Sequence, residues 1–214
     1  FKRILVYLAV GNEKVSMATR LSGGNTKFLP YNRGIENPVN PSGHKTAYLW
    51  EHILQPNNLL ELIESFVHIR TETDKVYDAK LGKIKEKKSE ILIFPRFHQL
   101  NVIQRLKEAV ITEDVGHNYL IQPTTGSGKS LSIGWLAHLL TSLYRTRTDT
   151  KRMFDTIIVI TDRRILDRQI RQTIKQLEQV KGVVNAVDKN SQQLKEFLED
   201  GKSLIITTVQ KFPV

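Results

Sequence analysis

The chain has 214 residues, of which 40% are hydrophobic and 25% charged, a mixture typical of a globular protein with one large or two small domains. No apolar run approaches the roughly 18 residues of a membrane-spanning helix, and the absence of cysteine excludes disulfides and thiolate metal sites, which suits a cytoplasmic protein. The formal net charge of +10 fits a polyanionic partner and equally a strongly solvated surface.

The first 75 residues predict a small α+β segment. Its apolar and polar stretches alternate with clear turn signals, and its later part has apolar residues at helical spacing. The predicted elements are strands within residues 4–30 with a turn at Gly11-Asn12, a loop at residues 31–45, a helix at residues 46–54 with Ala47, Trp50, Ile53 and Leu54 on one face, and a second helix capped by Asn57 or Asn58 with Leu59, Leu60, Ile63, Phe66 and Val67 on one face.

Residues 71–90 are polar and include the lysine-rich stretch KLGKIKEKK. Such a stretch is typical of a solvated linker or an exposed helix face, and we favour this interpretation over a DNA contact. It is the best candidate for a domain boundary. We therefore divide the chain into residues 1–75 and residues 76–214.

The remainder of the chain predicts an α/β domain. An amphipathic helix around residues 100–110 is followed by strands that alternate with helices, which favours a parallel sheet flanked by helices. The predicted strands are Asn118–Gln122, TIIVIT (residues 156–161), GVVNAV (182–187) and SLIITT (203–208), and the predicted helices are Ser130–Leu140, one starting near Arg164, and SQQLKEFLED (191–200).

Residues 122–130 read QPTTGSGKS, a sequence typical of a loop that binds nucleotide phosphates. A strand should deliver this loop, a helix should follow it, and glycines should let backbone N–H groups surround the anion. Pro123 stands where the general pattern has glycine, at a position that tolerates proline. Lys129 is expected to reach the β- and γ-phosphates, and the Ser130 hydroxyl to bind Mg²⁺. The predicted ATP-binding residues are Thr124, Thr125, Gly126, Ser127, Gly128, Lys129 and Ser130.

Candidate chemistry is also found at Gln99, at Asp162 and at the ends of two predicted strands. Gln99 has an amide that could pair with the edge of adenine, or it is a surface residue of a helix. Asp162 could resemble a magnesium carboxylate, but its arginine neighbours favour an ion pair or a helix cap. Polar and basic side chains follow two strands at the edge where open α/β sheets bind ligands, and there we predict contacts with a DNA backbone. These predicted DNA-binding residues are Thr161, Asp162, Arg163, Arg164, Thr207, Thr208, Gln210 and Lys211.

TTGSGKS, VITDRRILDRQ and TTVQKF together resemble the first motor lobe of superfamily-two helicases and translocases. The runs GHNYLIQPTTGSGKSLSIGWLAHLL and KFLPYNRG…NPSGHKTAYLWEHIL resemble more closely the R subunit of type I restriction enzymes. The resemblance covers nearly the whole chain. It implies that residues 1–75 are the end of a nuclease domain with its connection, and that residues 76–214 are the start of a RecA-like motor lobe.

The resemblance also implies ATP and Mg²⁺ as cofactors, duplex DNA as substrate, and methyltransferase and specificity subunits as partners. Members of the family translocate DNA and cut it far from the recognition site. The acidic motif for hydrolysis and the nuclease signature are not found in this sequence. We therefore expect a segment of a longer subunit that binds nucleotide and is inactive alone.

Two other functions remain open at this stage. A self-contained phosphate-loop kinase or nucleotide-binding regulator would carry a substrate lid and a catalytic acid or arginine, for which the sequence offers no clear candidate. A non-enzymatic nucleic-acid-binding module would use the positive charge but would leave the phosphate loop unexplained. Steep salt dependence of DNA binding would separate the motor lobe from the kinase.

Overall fold

The computed structural model describes residues 4–78, 82–146 and 148–212. The chain divides into two compact units, Phe1–Leu100 and Asn101–Val214. The functional division between residues 75 and 76 stays a prediction, but that point lies inside a strand, His68–Asp78, and not in a linker. Within the described ranges, no helix is both long and apolar enough to cross a membrane.

The first unit begins with a small antiparallel sheet, as the sequence predicts. Strands β1 (Tyr7–Val10), β2 (Val15–Ala18) and β3 (Leu29–Pro30) pair in the order β1-β2-β3. The N–H of Gly11 donates to the carbonyl of Lys14 at 2.9 Å and closes the predicted turn. Strand β2 is the central strand and its apolar side chains are buried, because it has a neighbour on each side.

The helical part of the first unit differs from the prediction in its hydrogen bonding. Leu49–Ile53 is a π-helical turn, with Leu54 N–H donating to the Leu49 carbonyl at 2.8 Å. This wider turn rotates the buried face: Tyr48 and Leu49 are buried, whereas Trp50 is exposed. Helix α1 (Pro56–Glu61) begins after Gln55, with proline at its first position, so the predicted caps Asn57 and Asn58 are wrong.

A second π-helical turn, Leu62–Phe66, follows helix α1 directly. Its buried residues are Leu62 and Phe66. Leu60 and Ile63, which α-helical spacing predicts on one face with Phe66, are 64% and 41% exposed, whereas Phe66 is buried. A π-helical turn has more residues per turn than the α-helix assumed in the prediction, so the face calculated from α-helical spacing is displaced.

The core of the first unit contains a cluster of aromatic rings. Phe97 lies edge-on to Tyr31 and Tyr48, with ring centroids 5.7 and 5.2 Å away. The Tyr48 hydroxyl donates to the carbonyl of Tyr31 at 2.5 Å, whereas the buried Tyr31 hydroxyl has no hydrogen-bond partner among the described residues. Burial accordingly raises the pKa of the Tyr31 phenol well above its usual value. The Tyr48 hydroxyl is thus hydrogen-bonded, whereas the Tyr31 hydroxyl is buried without a partner in the described part of the chain.

This difference predicts opposite effects of the same substitution. Tyr31→Phe should leave the free energy of unfolding unchanged or raise it, because a buried hydroxyl without a partner costs desolvation energy. Tyr48→Phe should lower it by about 1 kcal/mol, because a buried hydrogen bond is lost. Urea denaturation followed by tryptophan fluorescence in a Trp135→Phe background measures both, because Trp50 then reports on the first unit alone. A larger loss for Tyr31→Phe than for Tyr48→Phe would contradict this description of the core.

Residues 68–78 and 83–93 form the two strands of a long β-hairpin, so the prediction of a linker or helix is wrong for the described part of residues 71–90. Strands β4 (His68–Asp78) and β5 (Lys83–Ile93) pair antiparallel along their whole length. The register sets Val76 opposite Lys85 and Thr73 opposite Lys88. Both faces are largely exposed over the outer part, so the sequence there has the polar composition of a linker.

The second unit contains a three-stranded parallel sheet, which confirms this part of the predicted fold. Strands β6 (Ile157–Thr161), β7 (Val184–Ala186) and β8 (Leu204–Thr208) are arranged in the order β6-β8-β7. All five residues of β8 are buried, as expected of a central parallel strand. Its carboxyl end at Thr208 lies beside the end of β6 at Thr161.

Helices cover both faces of this sheet. Helix α2 (Phe97–Glu113) contains the division between the units and is followed by α3 (Lys129–Thr141), α4 (Arg164–Gln176) and α5 (Ser191–Glu199). One core cluster joins α3 and α4 to the sheet, and another joins α5 to its opposite face. The first cluster contains Ala137, Ile170, Ile174, Leu204 and Ile206, and the second contains Val187, Leu194 and Ile205.

Helices α3 and α4 approach closely at Gly134. A Cβ atom at this position would lie 2.7 Å from Cδ1 of Leu177 and 3.7 Å from Cγ1 of Ile174. The first distance is shorter than a carbon–carbon contact allows. Glycine in mid-helix lowers helix propensity, and here it permits the contact between the two helices.

Candidate phosphate-binding loop and nucleic-acid interface

The phosphate loop has the backbone that its glycines predict. Gly126 and Gly128 adopt positive φ of 76° and 84°, a region that side chains other than glycine rarely enter. A Cβ at Gly126 would meet no atom within 4 Å, so the space beside it is open. Helix α3 begins at Lys129 without a side-chain cap, and the first N–H groups of a helix have no partner within it. The loop therefore offers an anion both N–H donors and the positive end of a helix dipole.

The Lys129 ammonium group is folded back onto its own loop. It donates to the carbonyl of Pro123 at 2.8 Å, and its side chain is exposed. A second turn is closed by Ser127 N–H and the Thr124 carbonyl at 3.3 Å. A phosphate group is a stronger acceptor for ammonium than a neutral carbonyl. The lysine is thus held near the loop by a contact that an anion can displace.

The strand predicted before the loop is not formed. Residues 118–122 have no strand partner in the described part of the chain, and Leu120 is 92% exposed. A parallel strand needs a hydrogen-bonded neighbour. An apolar run indicates β propensity, but it does not show which strand, if any, will be that neighbour. The helix side of the prediction is confirmed, since α3 spans Lys129–Thr141 where Ser130–Leu140 was expected.

Gln99 lies in the first unit, in the first turn of α2, and is buried. Its Oε1 accepts a hydrogen bond from the N–H of Arg96 at 2.9 Å. A glutamine at the third helical position that reaches back to the preceding N–H is one half of a capping box. This contact gives Gln99 a structural role, and its pairing with adenine stays a prediction.

The threonines at the strand ends are buried. Thr161 is 4% exposed, Thr207 0% and Thr208 6%. The Thr161 hydroxyl donates to Oδ1 of Asp167 at 3.2 Å. DNA could contact their hydroxyls directly only if the strand ends opened, so their predicted DNA contacts remain untested.

The exposed members of the predicted interface lie at the turns that follow β6 and β8. Nε2 of Gln210 donates to the carbonyl of Asp162 at 3.0 Å and joins the two turns. Arg163 projects from the same edge, with 82% of its side chain exposed and its Nε 3.4 Å from Oδ2 of Asp162. Arg163 also occupies the N-cap position of α4, so Asp162 makes an ion pair and is not the cap. The side chain of Arg164 lies outside those described.

Lys211 is engaged by backbone carbonyls. Its ammonium group donates to the carbonyl of Asp188 at 3.2 Å and also to the carbonyl of Lys189. This contact fastens the 3₁₀ turn Val209–Lys211 to the segment after β7. Lys211 thus lies at the predicted edge, but its charge is already partly solvated by the protein.

Sequence reasoning missed an ion-pair network centred on Arg171. Its Nε lies 2.5 Å from Oδ2 of Asp167, its Nη2 donates to the Val187 carbonyl at 2.8 Å, and its Nη1 pairs with Asp188. The network ties α4 to the end of β6 and to the segment after β7. The spacing of four residues between Asp167 and Arg171 was the available signal, because such pairs face each other on a helix.

The residues of the loop are compatible with a magnesium nucleotide, because the magnesium ion of such a nucleotide needs few ligands from the protein. No group of three or more His, Cys, Asp or Glu side chains within the described ranges is placed to hold a metal ion. Magnesium bound with a nucleotide takes most of its ligands from phosphates and water. The half-buried Ser130, second residue of α3, is the hydroxyl that the chain would contribute.

The second unit thus combines a parallel sheet flanked by helices with a glycine loop at a helix N-terminus and polar strand ends, an arrangement typical of α/β domains that bind ligands at the carboxyl edge of the sheet. The family model of the SWI2/SNF2 ATPases matches residues 98–214, and the chain belongs to this family.

Curated relatives agree with the resemblance predicted from the motifs. The chain is 26% identical over 161 residues to endonuclease subunits of type I restriction enzymes from Staphylococcus aureus strains COL, MSSA476 and MRSA252. The aligned region is 75% of this chain and 14% of the length of each relative. The predicted resemblance to a segment of an R subunit is thereby confirmed. No solved structure matches the chain.

Proposed function

We propose that the chain is a segment of the ATP-dependent, DNA-translocating endonuclease subunit of a type I restriction enzyme, and that its second unit is the first part of a RecA-like motor lobe. The phosphate loop binds ATP, and the edge formed by the ends of β6 and β8 binds duplex DNA. In the whole enzyme this subunit works with methyltransferase and specificity subunits. The observation that carries the proposal is the hydrogen bond between Gln210 and Asp162, which supports a single DNA-facing edge.

The nucleotide half of the proposal rests on three features of the loop. The glycine backbone and the uncapped start of α3 offer N–H groups to the phosphates. Lys129 would exchange the Pro123 carbonyl for phosphate oxygens, and the Ser130 hydroxyl would hold the magnesium ion. The bound magnesium nucleotide would supply the free energy of hydrolysis that drives translocation.

The DNA half rests on charge and position. Arg163 is an exposed cation at a turn that follows a parallel strand, beside the first turn of α4. A helix N-terminus and an arginine side chain both favour the phosphate groups of a duplex. Contacts of this kind fix the position of the protein on DNA without reading sequence, as a translocating motor requires.

The test is binding of a short fluorescent duplex by the chain between about 50 and 200 mM salt. The affinity should fall linearly with salt on logarithmic axes. Arg163→Gln should weaken binding and reduce the slope by about one unit, because one phosphate contact is lost. Absence of DNA binding at every salt concentration would instead support the function of a kinase or nucleotide-binding regulator.

Lys175→Gln is the matched control for this test. Lys175 is exposed and lies in the last turn of α4. The substitution removes one positive charge far from the proposed edge, since the helix rises roughly 1.5 Å per residue. If Lys175→Gln and Arg163→Gln reduce affinity and slope equally, general charge attraction explains the binding and the proposed edge is wrong.

A further inference from the structure

The carboxyl edge of the second unit contains a cavity of about 650 Å³ between α4 and the end of β8. The motifs assign Thr208, Gln210 and Lys211 of its wall to DNA, but they give no role to the residues that α4 contributes. Its wall includes three cations and two carboxylates, together with Thr208 and Gln210 from the turn after β8. The charged residues of the wall are Arg168, Arg171, Lys211, Asp167 and Asp188.

Two of these three cations are already engaged within the protein. Arg171 pairs with both Asp167 and Asp188. Lys211 is held by backbone carbonyls of the segment after β7. Arg171 balances one of the two carboxylates and the other offsets one further cation, so the wall as a whole keeps a net charge of +1.

Arg168 differs from the other two cations. Its side chain is exposed, and it makes no ion pair or hydrogen bond with the residues that the structure describes. It lies four residues after Arg164, the first residue of α4, and therefore on the same helix face and one turn farther from the strand ends. The cavity wall thus has a net charge of +1, and its one cation without a direct partner among the described residues is a guanidinium group beside Gln210, which we assign to DNA.

We propose that this cavity receives a backbone phosphate of the bound duplex and that Arg168 is the side chain that contacts it. The inference rests on the proposed DNA-binding function and extends its interface from the strand ends along α4. A guanidinium group presents several N–H donors in one plane and can bind a phosphate through two of them. The Arg171 network supports the contact by fixing α4 to the opposite wall, so the cavity is held open before DNA arrives.

The experiment is duplex binding by the chain carrying Arg168→Gln, measured by anisotropy across the same range of salt concentrations. We expect a loss of affinity of about five- to tenfold at roughly 0.1 M salt and a slope smaller by about one unit. Arg168→Lys should recover part of the affinity, because a point charge remains but the planar donors are lost. Lys175→Gln, on the same helix but outside the cavity wall, should leave affinity and slope nearly unchanged.

A second arm identifies the source of the phosphate. The thermal shift caused by Mg-ATP should be the same in Arg168→Gln and in the unsubstituted chain. A loss of this shift with unchanged DNA binding would assign Arg168 to the nucleotide and overturn the inference. Equal DNA binding by Arg168→Gln and Lys175→Gln, with Arg163→Gln still weakened, would overturn this inference alone. Absence of DNA binding by the unsubstituted chain would overturn the proposed function as well.

Discussion

Replacing Lys129 by alanine should weaken Mg-ATP binding by about tenfold to a hundredfold. A hydrogen bond to a charged group contributes about 1.5–3 kcal/mol, and each 1.4 kcal/mol is a factor of about ten in affinity. The Lys129 ammonium group lies 2.8 Å from the Pro123 carbonyl, within its own loop, so little rearrangement is needed to meet a phosphate. Isothermal titration calorimetry with Mg-ATP measures the change directly.

The control must separate a lost phosphate contact from a disturbed loop. Lys195→Ala removes the same charge from an exposed site on α5, where the lysine lies 3.7 Å from Glu199. It should bind Mg-ATP as the unsubstituted chain does. The melting temperature of ligand-free Lys129→Ala gives a second readout, because loss of the Pro123 contact alone should change it little. Unchanged affinity in Lys129→Ala would refute the assignment of residues 124–130 to ATP.

Replacing Ile174 by alanine should lower the free energy of unfolding of the second unit by about 2–5 kcal/mol. Ile174 is fully buried in the cluster that joins α3 and α4 to strand β8. The helices approach closely at Gly134 beside it, so the surrounding side chains have little freedom to fill the resulting cavity. Such a loss is a large part of the stability of a domain of this size.

Urea denaturation followed by tryptophan fluorescence measures this loss. Trp135 is buried on α3 and reports on the second unit, and a Trp50→Phe background removes the signal of the first unit. Ile165→Ala is the matched control on the same helix, because Ile165 is 87% exposed, and it should change stability by less than about 0.5 kcal/mol. Similar midpoints for the two variants would show that α4 does not pack on the sheet as described.

The α/β organisation of the second unit could be predicted because its strands are nearly continuous apolar runs. Strand β8 is buried on both faces, and such an environment favours a nearly continuous apolar run such as LIITT. Strand β4 of the hairpin has the opposite character. Its partner β5 is local, but most of the side chains described for β4 are exposed, so cross-strand pairs such as Thr73 with Lys88 leave no apolar alternation to detect.

The candidate site was predictable in its residue types but not in its contacts. The spacing of Gly126, Gly128 and Lys129 specifies the turn and the start of α3. The carbonyl partners of Lys129 and Lys211 depend on how the backbone closes, which motif spacing does not encode. The absent strand at residues 118–122 has the same origin, since pairing is a non-local property.

Strand β6 also determines how the chain behaves at high concentration. It is the outer strand of the sheet in the described part of the chain, and Ile158 and Ile160, on the face opposite α3 and α4, are 36% and 50% exposed. A short β-branched strand with a free edge is a template for pairing with another molecule. Asp155 before it and the charged run from Asp162 after it are gatekeepers, because like charges oppose the stacking of identical strands. Colloidal stability of the protein therefore depends on these flanking charges, and high salt that screens them favours aggregation.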